Sequence, residues 1–391
     1  MDTRQAIPQQ VRDGRRALGD IGNTQVTNKK QINVVEKASV LDGANPKKPE
    51  PLKAVQKKAN KPIEVIVISP DTNEVAKTKN DKNDDALKKK VTYSSVLTAR
   101  SKAAASKTLD IDYVDKDNDL AAVEYVEDMY TFYREVENES KPQMYMQTQP
   151  EFSEEMRSIL IDWLVEVHSK FDLSPETLYL TVNITDRFLS LKTVPRRELQ
   201  LLGVTALLIA SKYEEIWPPK VNDLVYFTDN IYNDKQVLVM EKSILGNLEW
   251  YLTVPTQYVF LARFIKAGNP DPEMENMVHF LAELGMMHYD SLKFSSSLLA
   301  ASAVFTARCF LNKTPAWTDT LKFHTGYSSH QLMKCSELLD LNHLRVGMGK
   351  LRGVLKKYSK PERCDVALVS QAMSPLSVLF EEALKELGIS P

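Results

Sequence analysis

Leu199–Pro219 reads LQLLGVTALLIASKYEEIWPP, and the fold turns on this stretch. From Leu199 to Ala210 only Gln200 and Thr205 interrupt the apolar residues. A surface helix shows one apolar stripe; a helix apolar all round belongs inside a bundle of other helices. The run falls short of the ~20 apolar residues a membrane span needs. Gly203, Ala206 and Ala210 form a strip of small residues where a neighbouring helix can approach closely. The segment then turns polar at Ser211-Lys212-Tyr213-Glu214-Glu215, and Trp217-Pro218-Pro219 stops it. A buried rod with a charged end therefore sets the expectation of an all-α helical bundle.

The rest of the chain fits that expectation. Its 391 residues are 43% hydrophobic and 26% charged, with a net charge of −2, a soluble balance that points to no polyanionic or polycationic partner. Cys309, Cys335 and Cys364 are far apart and lack CxxC spacing, which argues against a disulfide framework or zinc site and for a reducing compartment. The opening residues carry no apolar signal segment, so secretion is not expected.

Residues 1–118 are expected to be a disordered tail. Lysines and prolines recur there, and no Trp or Phe precedes Phe132, so too little apolar surface can be buried to offset ordering entropy. Within the tail, Arg15-Arg16-Ala17-Leu18-Gly19-Asp20-Ile21-Gly22-Asn23 spaces one cation and two apolar anchors as an extended docking peptide does.

A first helical domain is expected over 119–253. Its opening helix would place Leu120, Val123, Val126, Met129 and Tyr130 on one stripe. Next come a helix over 153–171, one started by Ser174-Pro175-Glu176, the central helix, a short helix over 221–227, and one capped by Asn233-Asp234. Met156, Ile159, Leu160 and Trp163 share one face of the 153–171 helix, with further apolar residues elsewhere around it. Either both faces are buried or one is presented to a partner. A second domain, 254–359, repeats the plan with helices near 257–266, 272–288, 296–305, 328–342 and 344–358; LLAAS at Leu298 echoes LLIAS at Leu207. Residues 360–391 read as a C-terminal tail in which 377–387 suits a helix.

No GxxxxGK, HExxH or GxSxG motif occurs, and the six histidines lack metal spacing. His168, on a mostly apolar helix, reads as a packed histidine rather than a base. The chain is thus expected to be neither an enzyme nor a cofactor protein.

With these segments in view, MRSILIDWLVEVHSKF (156–171), VNITDRFLS (182–190), TALLIASKYEEIWPP (205–219) and VMEKSILGNL (239–248) resemble the cyclin box of A/B-type cyclins. RRALGDIGN resembles the destruction box of mitotic cyclins, and TYSSVLTARSKAA (92–104) is similar to plant B-type cyclins. The resemblance implies two tandem five-helix cyclin folds and a non-catalytic activator of a cyclin-dependent kinase, acting at the G2-to-mitosis transition. It implies that Lys212 and Glu241 contact the kinase and that Arg157 and Asp186 pair between two helices. Met156, Ile159, Leu160, Trp163, Glu166 and Gln200 would form a groove for Arg-x-Leu peptides of substrates or inhibitors. Arg15, Leu18, Ile21 and Asn23 would be read by the anaphase-promoting ubiquitin ligase, and the protein would occur in nucleus and cytoplasm. No Lys-Glu-Asn signal is present, so destruction would lean on Arg15 and Leu18. A tandem cyclin-fold transcription factor that binds nucleic acid is the rival. Such factors carry an N-terminal zinc ribbon, no Cys precedes Cys309, and the tail lysines are interleaved with acids. No nucleic-acid or membrane partner is therefore expected.

Overall fold

The computed structural model describes residues 110–347 and 349–368. Among them every regular element is a helix or 3-10 turn, and no helix is long and apolar enough to cross a membrane. A short entry helix, α1 (Val126–Val136), precedes α2 (Glu154–Lys170), α3 (Pro175–Leu191), α4 (Leu199–Glu214), α5 (Val221–Phe227) and α6 (Asp234–Asn247). The second group is α7 (Gln257–Ala267), α8 (Pro272–Met287), α9 (Ser296–Phe310), α10 (Asp319–Thr325) and α11 (Ser329–Val346), followed by α12 (Gly353–Tyr358).

Local chemistry explains the boundaries. Asn233 and Gln236 form a reciprocal capping box at α6, as Ser328 and Gln331 do at α11. Pro175 and Pro272 open α3 and α8, where a missing N–H costs nothing. Ser174 precedes α3, yet its hydroxyl does not cap that helix: with its own amide and the Thr177 hydroxyl it donates to Glu215 Oε1. The carboxylate just past α4 thus terminates the start of α3. Burial alone would raise the Glu215 pKa, but these donors from Thr177 and Ser174 hold it below the usual range.

Each group is organised around its third helix. All of α4 from Leu199 to Ser211 is buried, against α2, α3 and α6. At Gly203 an added Cβ would lie 2.8 Å from Leu160 Cδ1, so the small-residue strip is where α2 approaches. In the second group α9 is enclosed by α7, α8 and α11. The two cores are not separate: Ile161 and Val165 of α2 and Leu178, Tyr179 and Val182 of α3 belong to the same apolar cluster as Phe260, Phe280 and Val304.

Several sequence expectations need correction. Leu120 is 95% exposed, and 119–125 forms two 3-10 turns rather than the start of α1; Asn118 caps the first turn and Ala122 breaks the run with φ 47°. Residues 110–118, assigned to the tail, pack on the second group. Ile111 is buried there, and Arg263 Nη1 donates to both Asp112 oxygens at 2.6 and 2.7 Å while Nη2 donates to Glu127 at 2.8 Å. Lys266 adds bonds to Asp112 and Asp115. Helix α10 went unread; it corresponds to α5, also seven residues long. The helix expected over 344–358 is instead the end of α11, a turn and α12. Residues 360–368, also assigned to a tail, continue as 3-10 turns that bury Val366 and Ala367 beside α8. LLIAS closes α4, whereas LLAAS opens α9 with Leu298 and Leu299 half-buried, so the echoed pentapeptides are not equivalent positions. The helix suggested over 377–387 lies outside the described residues.

Candidate functional site

The charged end of α4 meets the middle of α6. Lys212 Nζ donates to Glu241 Oε1 at 2.6 Å; the Lys212 side chain is 46% exposed and that of Glu241 14%. Glu241 is thus largely covered, and each charge is the other's partner. Close to the pair along the chain, large apolar groups face water: Tyr213, Ile216 and Trp217 after Lys212, and Leu238 and Val239 before Glu241, with Trp217 89% exposed. Trp217-Pro218-Pro219 is therefore more than the helix stop that its prolines suggest. The signal for more was a Trp placed where nothing in its own helix could cover it. Exposed aromatic and aliphatic groups on the segments that carry an ion pair are what a protein-binding patch is made of.

The α2 face is divided. Leu160 is wholly buried against Gly203, and Gln200 is buried with its Nε2 unpartnered among the described residues; neither lines a groove. Met156, Ile159, Trp163 and Glu166 are half-buried, and Met156 and Trp163 also pack on the first core. Burial, then the neighbouring Asp162 charge, pushes the Glu166 pKa up. Asp162 itself accepts from the Gly353 and Arg352 amides at 2.8 and 3.1 Å, holding α12 beside α2. A Cβ at Gly353 would come within 2.6 Å of the Asp162 carbonyl, so this approach needs glycine.

Arg157 and Asp186 pair in the interior, both nearly free of solvent contact. Nε donates to Oδ1 at 2.7 Å and Nη2 to Oδ2 at 2.6 Å. Burial alone would lower the Arg157 pKa, but the Asp186 carboxylate raises it. The pair reaches further than two helices. Arg157 Nη1 donates to the Met287 and Met286 carbonyls at 3.0 and 3.3 Å, Ser158 Oγ donates to Met287, and Tyr145 Oη donates to Asp186 at 2.7 Å. Side chains of α2 thus satisfy the orphan carbonyls that end α8.

His168 is buried, donates Nε2 to the Ser174 carbonyl at 2.8 Å, and has its pKa lowered by burial. The thiols of Cys309 and Cys335 are buried and pushed up to about 12 by desolvation. Among the described residues no His, Cys, Asp or Glu cluster suits a metal ion. Arg15, Leu18, Ile21 and Asn23 lie outside the described residues.

Comparison with known proteins agrees with this architecture. Residues 128–253 match the family "Cyclin, N-terminal domain" and 255–372 "Cyclin, C-terminal domain". The chain is 70% identical to Cyclin-B1-3 of Arabidopsis thaliana, over 93% of each chain. It is 56% identical to Cyclin-B1-2 of the same plant, over 96% of this chain and 98% of that one. With G2/mitotic-specific cyclin S13-6 of Glycine max it shares 55% identity over 86% and 76%. Two cyclin folds in tandem, tied where the Asp186-paired Arg157 bonds to the end of α8, and this likeness along nearly the full length place the chain among the B-type cyclins.

Proposed function

We propose that this cyclin is the non-catalytic regulatory subunit of a cyclin-dependent kinase and activates it at entry into mitosis. The observation that carries the reading is the Lys212–Glu241 pair, with exposed Ile216, Trp217 and Leu238 on the segments that bear it. The apolar groups supply most of the affinity, and the two charges satisfy polar groups of the kinase's regulatory helix and fix its rotation. Activation follows if the contact favours one kinase conformation: shifting an equilibrium from 1:99 to 99:1 takes a differential affinity of ~5.5 kcal/mol.

Substrate docking uses a smaller surface than the resemblance implied, namely Met156, Ile159 and Trp163 with Glu166 as the carboxylate for an Arg-x-Leu peptide. The Arg15–Asn23 segment marks the protein for the anaphase-promoting ligase and ubiquitin-dependent proteolysis at mitotic exit. Residence in nucleus and cytoplasm follows from the same reading.

Lys212→Ala combined with Glu241→Ala tests the central claim. With Lys212 half in solvent the ion pair contributes about 0–1 kcal/mol to stability, so the double variant should fold. Titration calorimetry against the purified kinase should show affinity reduced at least about tenfold, the equivalent of ~1.4 kcal/mol. Wild-type affinity in the folded double variant would refute the assignment.

A further inference from the structure

Between Lys350 and Arg363 the chain reads KLRGVLKKYSKPER, six basic residues against the single acid Glu362. One of the six is neutralised in the interior: Lys357 Nζ donates to the buried Glu283 carboxylate at 2.5 Å, beside Tyr358 Oη at 2.7 Å. The other five, Lys350, Arg352, Lys356, Lys360 and Arg363, are exposed, and none forms an ion pair among the described residues. In a chain with a net charge of only −2, such a concentration creates a local positive potential. The helix at the centre of the run, which bears Lys356 and is flanked by the other four, is fixed: Asp162 holds the amides at its start, Glu283 holds its end, and Val354 and Tyr358 are buried beneath. A solvated lysine run needs no such anchoring from both folds. A backbone held in this way has less left to order when an anion binds, so the ordering cost falls on the side chains alone.

The surroundings select the occupant. On one side lies α2, whose stripe Glu155, Asp162 and Glu166 is acidic, and Glu166 lies close enough to Lys356 to feel its charge. A long polyanion laid across α12 would run into those carboxylates. The aromatic ring within the run, Tyr358, is only 1% exposed and cannot stack on a base. Helix α12, at the centre of the run, has six residues and is ~9 Å long, too short by itself to follow a duplex phosphate track. We propose that Lys350–Arg363 is a docking ledge for a short phosphorylated segment of a partner protein, with Arg352, Lys356 and Lys360 as its principal contacts.

Full-length protein titrated into a fluorescently labelled, doubly phosphorylated serine peptide, with anisotropy as readout, tests this. The unphosphorylated copy and a short DNA duplex are run beside it. Three variants at the ledge (Arg352→Gln, Lys356→Gln and Lys360→Gln combined) are compared with three exposed lysines elsewhere (Lys192→Gln, Lys220→Gln and Lys235→Gln combined). The phosphorylated peptide should bind more tightly than its unphosphorylated copy and lose about tenfold in affinity in the ledge variant, with the loss shrinking at high salt. The control variant should bind as wild type. Equal losses in both variants, equal binding of both peptides, or no binding at all would overturn the ledge. Tighter binding of the duplex would mean that nucleic acid, not a phosphopeptide, is the occupant, and would overturn it equally.

Discussion

Replacing Asp186 by alanine should be among the most damaging single changes to this protein. The substitution strands Arg157, whose guanidinium is 1% exposed, without its carboxylate, and leaves the Tyr145 hydroxyl without its acceptor. Breaking a buried ion pair by removing one partner costs ~3–5 kcal/mol, because the remaining charge stays desolvated. The orphaned hydroxyl adds ~1–3 kcal/mol, not fully additive because both losses fall on one network. We therefore expect a loss of about 4–6 kcal/mol, a large share of the ~5–15 kcal/mol typical of a folded protein. Two-probe urea denaturation, following tryptophan fluorescence and far-ultraviolet circular dichroism, reads it. The companion Arg157→Met with Asp186→Leu removes both charges. It should recover part of the loss but not all, since the Met286 carbonyl loses its Arg157 donor, the Met287 carbonyl keeps only Ser158, and the Tyr145 hydroxyl loses its acceptor. A midpoint for Asp186→Ala equivalent to less than ~1 kcal/mol of destabilisation, the scale of an ordinary surface change, would show that the charge is not buried in solution and refute the reasoning.

Met156→Ala with Trp163→Ala should weaken phosphorylation of substrates carrying an Arg-x-Leu peptide, while a short peptide lacking it is phosphorylated as before. Both side chains are half-buried on the core, so thermal denaturation should also register a cost of about 1–3 kcal/mol, below the full-burial range; unchanged docking in the folded variant argues against this face. Gly203→Ala should destabilise by about 1–3 kcal/mol through overpacking against Leu160, and unchanged stability in chemical denaturation would mean that α2 and α4 are further apart than described. Arg15→Ala with Leu18→Ala should leave kinase activation by the purified protein unchanged yet prolong its lifetime through mitotic exit; loss on the normal schedule in a pulse-chase would show that another signal suffices.

How much of this could be read from residues alone varies with the range of the interaction responsible. The central helix was legible because Leu199–Ser211 has no polar face to show, a property of the stretch itself. The capped starts at Asn233 and Ser328 were legible for the same local reason. Helix α10 was missed because seven residues ending in Thr325 offer too few apolar positions to show a period. Residues 110–118 were misassigned because what orders them, Arg263 and Lys266 closing on Asp112, comes from more than a hundred positions away. The α2 groove failed in part for a related reason. Leu160 and Trp163 share a face on a helical wheel, but Gly203 admits Leu160 into the core and leaves Trp163 at the edge, a decision made on another helix. Arg157 and Asp186 were named from resemblance, and nothing in their spacing pointed to the α8 carbonyls that Arg157 also serves.

The core held jointly by both cyclin folds has a consequence for how the protein is lost. A fragment ending at the first family boundary would expose Ile161, Val165, Leu178, Tyr179 and Val182 together, an apolar patch that invites aggregation rather than independent folding. The internal duplication visible in the chain is therefore not a seam along which it comes apart. An unfolding machine that engages either end and pulls one repeat open removes the support of the other. The Lys212–Glu241 rim would vanish with it in a single cooperative event, leaving no half-protein to go on holding its partner.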